Sequence, residues 1–269
     1  MPEFFADGVS IHYEKSGLGP KHIVLVHAYP THSRMWDPQQ AALGAGRVVV
    51  TYDVRGMGRS GVPSQPAAYS QDRSVADLLS LLDHLGVQRA DICGLSMGGN
   101  IALNFALAHP DRVDSLVISG TGSGSDDRAT FIERTIGWAE TAERYGIETF
   151  ADKVLENDVF SEYANRGARE RAHMRGLIVE NSAKGVALTA RYVIAARPPI
   201  PALEARMNKL DLPTLVIAGA SDGAVSFPTQ IMARAIPRAQ LKIIPRTGHF
   251  NNIEEPDAVN NLLRTFLHF

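Results

Sequence analysis

The 269-residue sequence predicts an α/β protein with an open, mostly parallel sheet. Short apolar runs rich in β-branched residues alternate with helical patterns over most of the chain. Such runs are typical of strands that are buried on both faces between helices. One long stretch without a convincing strand, residues 125–201, interrupts this alternation. The sequence therefore predicts a sheet-based core, residues 1–124 and 202–269, that carries a helical insertion.

The N-terminal residues predict a short antiparallel hairpin before the parallel strands. Phe4–Tyr13 splits around Asp7-Gly8, a dipeptide typical of tight turns. The parallel strands are expected at the apolar runs His22–Val26, Arg47–Tyr52, Ala90–Cys93, Ser115–Ile118, Thr214–Ala218 and Gln240–Ile244. Their carboxyl ends would share one edge of the sheet, where open α/β sheets bind ligands.

Helical patterns fill the gaps between these runs. Ser74–Leu85 carries apolar residues at helical spacing, and Asn100–Ala108 ends shortly before Pro110, which cannot continue a helix. Val259–Leu267 is expected to be the last helix. A proline-rich stretch, residues 198–201, leads from the insertion back to the sheet. Within the insertion, helices are expected at Phe131–Tyr145, Ile147–Asn157 and Arg169–Glu180.

Composition and charge narrow the class of protein. The content of 45% hydrophobic and 21% charged residues is ordinary for a globular protein, and the net charge of −2 offers no basic surface for nucleic acid or an anionic membrane. A single cysteine, Cys93, excludes an internal disulfide and favours a reducing compartment. No signal peptide or transmembrane run is visible. We therefore expect a cytoplasmic protein; no pattern specifies its oligomeric state.

A nucleophile motif follows one of the expected strands. Gly94-Leu95-Ser96-Met97-Gly98 fits G-x-S-x-G and lies between an apolar run and a helix, which is the context that gives the motif meaning. A serine on such a sharp turn stands out from the sheet edge, and small residues are needed around it. The helix N-terminus beyond it can stabilise a developing oxyanion. Ser96 is the predicted nucleophile.

A base and an acid are expected at the same edge of the sheet. Because a serine hydroxyl needs a base, His249 is the best of nine histidines: it lies in a loop between the last strand and the last helix. Asp222 follows the preceding strand and completes the order Ser…Asp…His that is typical of this motif. Asp126 or Asp127, after another strand, is the alternative acid.

The remaining site residues come from two loops and the insertion. The loop His27-Ala28-Tyr29-Pro30 follows a strand, so the backbone amides of Tyr29 and Met97 are the expected oxyanion donors. His27 is expected to bond the loop backbone. The candidates for the substrate pocket are Trp138, Tyr192 and Phe250.

A glycine-rich loop, Asp53–Ser60, invites comparison with phosphate-binding loops. It has neither the G-K-[ST] ending nor the G-x-G-x-x-G spacing, so nucleotide binding is rejected. A structural turn stabilised by an Asp–Arg contact is the preferred interpretation. No ligand cluster has zinc spacing, and no metal or organic cofactor is expected.

With these motifs the whole chain resembles the α/β-hydrolase superfamily. The family's H-G-x-P loop is similar to His27–Pro30, with Ala28 in place of glycine, and its E-x-P after the histidine matches Glu254 and Pro256. The family's D-x-R-G-x-G-x-S, nucleophile and G-x-x-D motifs match Asp53–Ser60, Gly94–Gly98 and Gly219–Asp222, in the same order along the chain. The resemblance implies that the insertion 125–201 is a lid. Met35–Gln39 and the nucleophile motif look like those of 3-oxoadipate enol-lactonases and related carboxylesterases.

This resemblance implies hydrolysis of a small carboxylic ester or lactone through an acyl-enzyme. Alternatives with the same triad are a carbon–carbon bond hydrolase and a perhydrolase. A receptor for a small lactone, with little turnover, is the non-enzymatic alternative. A carboxylate nucleophile, as in haloalkane dehalogenases and epoxide hydrolases, is disfavoured because the motif holds Ser96.

Overall fold

A computed structural model describes residues 2–268 and contains one eight-stranded sheet. The strand order is β1-β2-β4-β3-β5-β6-β7-β8. The strands are β1 Glu3–Ala6, β2 Val9–Ser16, β3 His22–Val26, β4 Val48–Tyr52, β5 Ala90–Leu95, β6 Val113–Ser119, β7 Thr214–Gly219 and β8 Ala239–Ile244.

The direction of the strands confirms the predicted fold class. β1 pairs with β2, and β2 with β4, in antiparallel fashion, and the pairs from β4 to β8 are parallel. The hairpin turn is at Asp7-Gly8, where both residues have positive φ, as a tight two-residue turn requires. The carboxyl ends of β3 to β8 therefore share one edge, and the candidate residues follow these ends.

The helices of the described residues follow the predicted alternation. They are α1 Asp37–Leu43, α2 Gln71–His84, α3 Met97–Ala108, α4 Arg128–Val154, α5 Asp158–Ala164, α6 Ala168–Val179, α7 Ala183–Thr189, α8 Glu204–Met207, α9 Ser226–Ala235, α10 Asn251–Glu254 and α11 Pro256–Phe266. Within residues 2–268, no helix combines the length and apolarity that crossing a membrane would demand. Six of these helices have no counterpart among the helices that the sequence predicts: α1, α5, α7, α8, α9 and α10.

One strand differs from its sequence expectation. The run Gln240–Ile244 suggested burial on both faces, but β8 is the edge of the sheet, and Leu241 and Ile243 are 39% and 52% exposed. An edge strand has a neighbour on one side only, so an apolar run there need not be covered. The central strands β3 to β7 are lined with buried aliphatic side chains, which pack against those of the surrounding helices to form the core.

The insertion, called here the helical segment 125–201, contains α4 to α7 between β6 and β7. Gly146 has a φ of +81°, outside the helical region, and so breaks α4 between the two helices that the sequence predicts there. Asn181 joins this segment to the sheet loops: its side chain donates to the carbonyl of Pro30 at 3.0 Å and accepts from the amide of Gly58 at 2.7 Å. The segment is thereby anchored over the carboxyl edge of the sheet.

Candidate active site

Ser96 occupies a sharp turn between β5 and α3. Its φ of +56° is in the left-handed region, and its amide donates to the carbonyl of Ser119 at 2.8 Å. A Cβ at Gly94 would overlap the carbonyl of Gly98, and one at Gly98 would overlap that of Val26. Both glycines of the G-x-S-x-G motif are therefore required by the close approach of backbone to backbone. The turn presents Ser96 to the space above the sheet edge.

His249 and Asp222 lie in direct contact. His249 Nδ1 is 2.7 Å from Asp222 Oδ2, and the two side chains are 3% and 2% exposed. His249 follows β8 and Asp222 follows β7, so adjacent strands bring them together. With its Nδ1 proton donated to the carboxylate, the imidazole keeps Nε2 free to accept a proton. The structure brings together the acid and base that the sequence pairs.

The alternative acids lie elsewhere. Asp127 accepts from the amide of Thr130 at 3.1 Å and so caps α4. Asp126 accepts from the amide of Asp127 at 3.0 Å. These hydrogen bonds place both carboxylates at the exposed start of a helix, where carboxylates stabilise free N–H groups. Asp222 contacts His249, whereas Asp126 and Asp127 do not.

The loop after β3 is held by His27. Its Nε2 accepts from the amide of Val54 at 2.9 Å, so its Nδ1 carries the proton and donates to the carbonyl of Ala28 at 2.8 Å. Burial lowers the pKa of His27 to about 4, which keeps the ring neutral at pH 7. The expectation that His27 bonds the loop backbone is confirmed. The neighbouring loop is held by Asp53, which accepts from the amides of Ser33 and Arg59.

The two expected oxyanion donors are available. Within residues 2–268, the amides of Tyr29 and Met97 make no hydrogen bond. Met97 is the first residue of α3, and the first amides of a helix have no acceptor inside it. These amides are suited to an oxyanion that forms beside Ser96.

Glu254 holds the backbone on both sides of His249. Its carboxylate accepts from the amide of Gly248 at 2.7 Å and from that of Phe250 at 2.9 Å. Arg166 of the helical segment 125–201 contacts the same carboxylate at 3.1 Å. Burial raises the pKa of Glu254, although these hydrogen bonds favour its charged form. This arrangement gives a physical role to the acidic residue that follows the histidine in the sequence motif.

Ser96 and His249 line one narrow cavity beneath the helical segment 125–201. The space open to the centre of a water molecule is about 30 Å³, room for very few waters. A wider cleft of about 510 Å³ adjoins it and shares Arg134 and His249 as walls. The aromatic walls of the narrow cavity are Tyr29, Phe131, Trp138 and Phe160.

The three predicted pocket residues have different positions. Trp138 lines the cavity and stacks on Tyr29, with ring centroids 6.5 Å apart. Phe250 is fully buried behind His249 and does not line the cavity. The prediction for Tyr192 is wrong: it is 36% exposed and lines a separate surface depression. Ile194 lines the cavity instead, since residues two apart in a helical turn point to different sides.

Several cavity residues are not predicted from the sequence, and two of them carry charge. Arg134 and Arg197 both line the cavity that contains Ser96. The first had a readable signal, because Phe131, Arg134 and Trp138 have the spacing of one helix face, and arginine is out of place in an apolar stripe. Arg197 precedes a proline pair and belongs to no periodic pattern, so nothing in the sequence marks it.

Comparison with known proteins adds a family context. A family model described as alpha/beta hydrolase fold matches residues 21–256. The enol-lactonase from Burkholderia xenovorans LB400 superposes with a TM-score of 0.88 and 30% identity over 100% of both chains. A thermophilic esterase from Thermogutta terrifontis gives a TM-score of 0.84 at 29% identity, over 99% of this chain and 96% of that one. A 2-hydroxymuconate semialdehyde hydrolase from Pseudomonas sp. (strain CF600) is 30% identical, covering 98% of this chain and 93% of its own.

Proposed function

Because this chain belongs to the α/β-hydrolase family, we propose that it cleaves a small carboxylic ester or lactone through an acyl-enzyme on Ser96. One observation carries the proposal. His249, oriented by Asp222 at 2.7 Å, lines the same cavity as Ser96. A serine near an oriented imidazole is the arrangement that activates a hydroxyl for attack on a carbonyl.

The proposed mechanism has two halves. His249 Nε2 takes the proton of Ser96 as Oγ attacks the carbonyl, and the oxyanion is stabilised by the amides of Tyr29 and Met97. His249 then gives the proton to the leaving alkoxide, which departs as an alcohol, or as the freed hydroxyl end of an opened lactone. Water, activated by His249, cleaves the acyl-enzyme to the acid. Asp222 holds the imidazole in the required tautomer throughout.

We also propose that residues 1–124 and 202–269 form the catalytic core and residues 125–201 form a lid. Phe131, Trp138 and Phe160 of the lid face the cavity that Ser96 of the core also lines. The free space there is smaller than an ester substrate. Substrate binding would therefore need side chains of this wall, or the lid that carries them, to move, and the aromatic side chains of the lid would select among acyl or alcohol groups.

A relative of different chemistry supports one of three alternatives for this site. The 2-hydroxymuconate semialdehyde hydrolase is 30% identical to this chain, so cleavage of a carbon–carbon bond is the second candidate activity. A perhydrolase would pass the acyl group to hydrogen peroxide instead of water. A lactone receptor would acylate once and turn over poorly.

Steady-state assays separate these activities. The purified protein is offered 4-nitrophenyl acetate, short acyl esters, lactones and vinylogous diketones, with and without hydrogen peroxide. We expect continuous turnover of an ester or lactone, and a fall in kcat of at least about 10³-fold in Ser96→Ala with an unchanged circular dichroism spectrum. Turnover of the diketones alone, a single burst, or near-normal activity in Ser96→Ala would each contradict the proposal.

A further inference from the structure

The end of α6 meets the loop that carries the proposed oxyanion donor Tyr29. Asn181 lies two residues beyond α6 and is buried, with 5% of its surface exposed. Its Nδ2 donates to the carbonyl of Pro30 at 3.0 Å, and its Oδ1 accepts from the amide of Gly58 at 2.7 Å. One amide side chain of the helical segment 125–201 thus connects two neighbouring loops of the core.

The last turn of α6 fixes the orientation of this side chain. Nδ2 of Asn181 also lies 2.9 and 3.0 Å from the carbonyls of Leu177 and Ile178, in the turn where helical partners for carbonyls end. Turning the amide over would bring Oδ1 against these carbonyl oxygens and against that of Pro30. The N–H group that points at Pro30 is therefore held in place by α6 itself.

From Pro30, hydrogen bonds lead to the amide of Tyr29 through two peptide units. The carbonyl of Pro30 shares one unit with the amide of Thr31, and this amide donates to the carbonyl of Ala28 at 3.0 Å. The carbonyl of Ala28 shares the next unit with the amide of Tyr29. Both units are trans, so the C=O and N–H bonds of each point in opposite directions. The N–H groups of Asn181, Thr31 and Tyr29 therefore form one relay that is aligned in a single direction.

Such a relay affects the oxyanion donor in two ways. It orients the amide of Tyr29, because a peptide plane that is held at its carbonyl cannot rotate freely. It also polarises this amide, since hydrogen bonds in a chain strengthen one another in a medium of low dielectric constant. The core holds the carbonyl of Ala28 as well, through His27 Nδ1 at 2.8 Å. The contribution that passes through Pro30, however, begins in the helical segment 125–201.

We infer that Asn181 is a positioning residue for the oxyanion donor Tyr29, and that the oxyanion site is complete only while the helical segment 125–201 is seated on the core. The inference rests on the hydrolase activity proposed above. Asn181 does not line the Ser96 cavity, so it acts on the reaction through the loop. Displacement of the segment interrupts the relay, and its return restores the relay before the carbonyl is attacked.

Two variants test the relay. Asn181→Leu removes both loop contacts at similar side-chain volume. Asn181→Asp, assayed at about pH 8 where its carboxyl group is ionised, keeps an acceptor for Gly58 but has no N–H for Pro30. We expect kcat/KM for 4-nitrophenyl acetate to fall about 5–10-fold in each, the effect of one hydrogen bond. Ser182→Ala is the matched control: Ser182 is exposed and caps α7 next to Asn181, so this variant should keep wild-type kinetics.

A sulfur substitution in the substrate reports on the oxyanion itself. In 4-nitrophenyl thionoacetate the carbonyl oxygen is replaced by sulfur, which is a weak hydrogen-bond acceptor. We expect the ratio of kcat/KM for the acetate to that for the thionoacetate to fall about 5-fold or more in both Asn181 variants and to stay unchanged in Ser182→Ala. An equal loss for both esters would show a structural role only and would overturn the inference, as would unchanged kinetics in both variants.

Hydrogen exchange tests the relay without catalysis. The amide of Thr31 shares its peptide unit with the carbonyl that Asn181 holds. Its exchange, followed by NMR, should be about 5-fold faster in Asn181→Leu and unchanged in Ser182→Ala. Unchanged exchange in both Asn181 variants would overturn the inference. If the wild type cleaves no ester while exchange at Thr31 still accelerates in Asn181→Leu, the hydrolase proposal fails and the link between Asn181 and the loop stands.

Discussion

The loops at the carboxyl edge of the sheet and the helical segment 125–201 differ in the hydrogen-bond partners of the charged side chains that they place near Ser96. In the loops, Asp222 contacts His249, and Glu254 accepts two backbone amides beside that histidine. In the segment, Arg134 and Arg197 face the cavity without a carboxylate partner among the described residues. The difference shows that hydrogen bonds fix the positions of the candidate reacting groups in the loops, whereas the two arginines of the segment border the cavity without a carboxylate that fixes theirs.

The largest expected effect on activity comes from a change in the loops, at Asp222. In Asp222→Asn the amide would face His249 Nδ1 and favour the tautomer whose Nε2 is already protonated. Such a ring cannot accept the proton of Ser96. We expect kcat for ester hydrolysis to fall about 10³–10⁴-fold with the fold retained, measured by steady-state kinetics beside circular dichroism.

Asp127→Asn is the matched control for this change. It alters an equivalent carboxylate that caps α4, and asparagine also caps helices well, so stability and kcat should change little. A large loss of kcat in Asp127→Asn, together with an active Asp222→Asn enzyme, would show that the acid has been assigned to the wrong strand end.

A smaller effect, on substrate preference, is expected from a change in the helical segment 125–201. Trp138 lines the cavity, so Trp138→Ala should change the relative kcat/KM values across a panel of acyl chain lengths by about 10–100-fold, or 1–3 kcal/mol. Tyr192→Ala is the control, because Tyr192 is exposed and lies outside the cavity. It should leave the ranking of substrates unchanged. An identical ranking in both variants and the wild type would reduce the segment to a structural cover.

The same two regions differ in how far the sequence predicts them. The sheet loops are predictable because backbone geometry restricts their residues: Gly94 and Gly98 exclude any side chain, and Asp7-Gly8 needs positive φ. The contact between Asp222 and His249 follows from the parallel order of two adjacent strands. Such restrictions on the backbone produce short sequence motifs with constant spacing, and these motifs can be recognised in one sequence.

The cavity wall is not predictable in this way. The rotation of each helix decides which of its faces meets the cavity. This rotation depends in turn on the kink at Gly146 and on the π-helical turn at residues 190–194. The sequence therefore wrongly predicts Tyr192 inside the cavity and gives no sign of Arg197. The exposure of Ile243 has the same origin, since an apolar run cannot reveal that its strand lies at the sheet edge. Tertiary packing, which no local pattern records, decides these positions.

The central claim is that Ser96 forms a covalent acyl-enzyme, and labelling tests it most directly. A fluorophosphonate reacts with an activated serine, and tryptic cleavage after Arg89 and Arg112 releases residues 90–112, in which Ser96 is the one hydroxyl-bearing side chain. We predict one equivalent of adduct on this peptide, with loss of esterase activity in proportion. Complete inactivation with the adduct on another peptide, or full activity with residues 90–112 stoichiometrically labelled, would contradict the account.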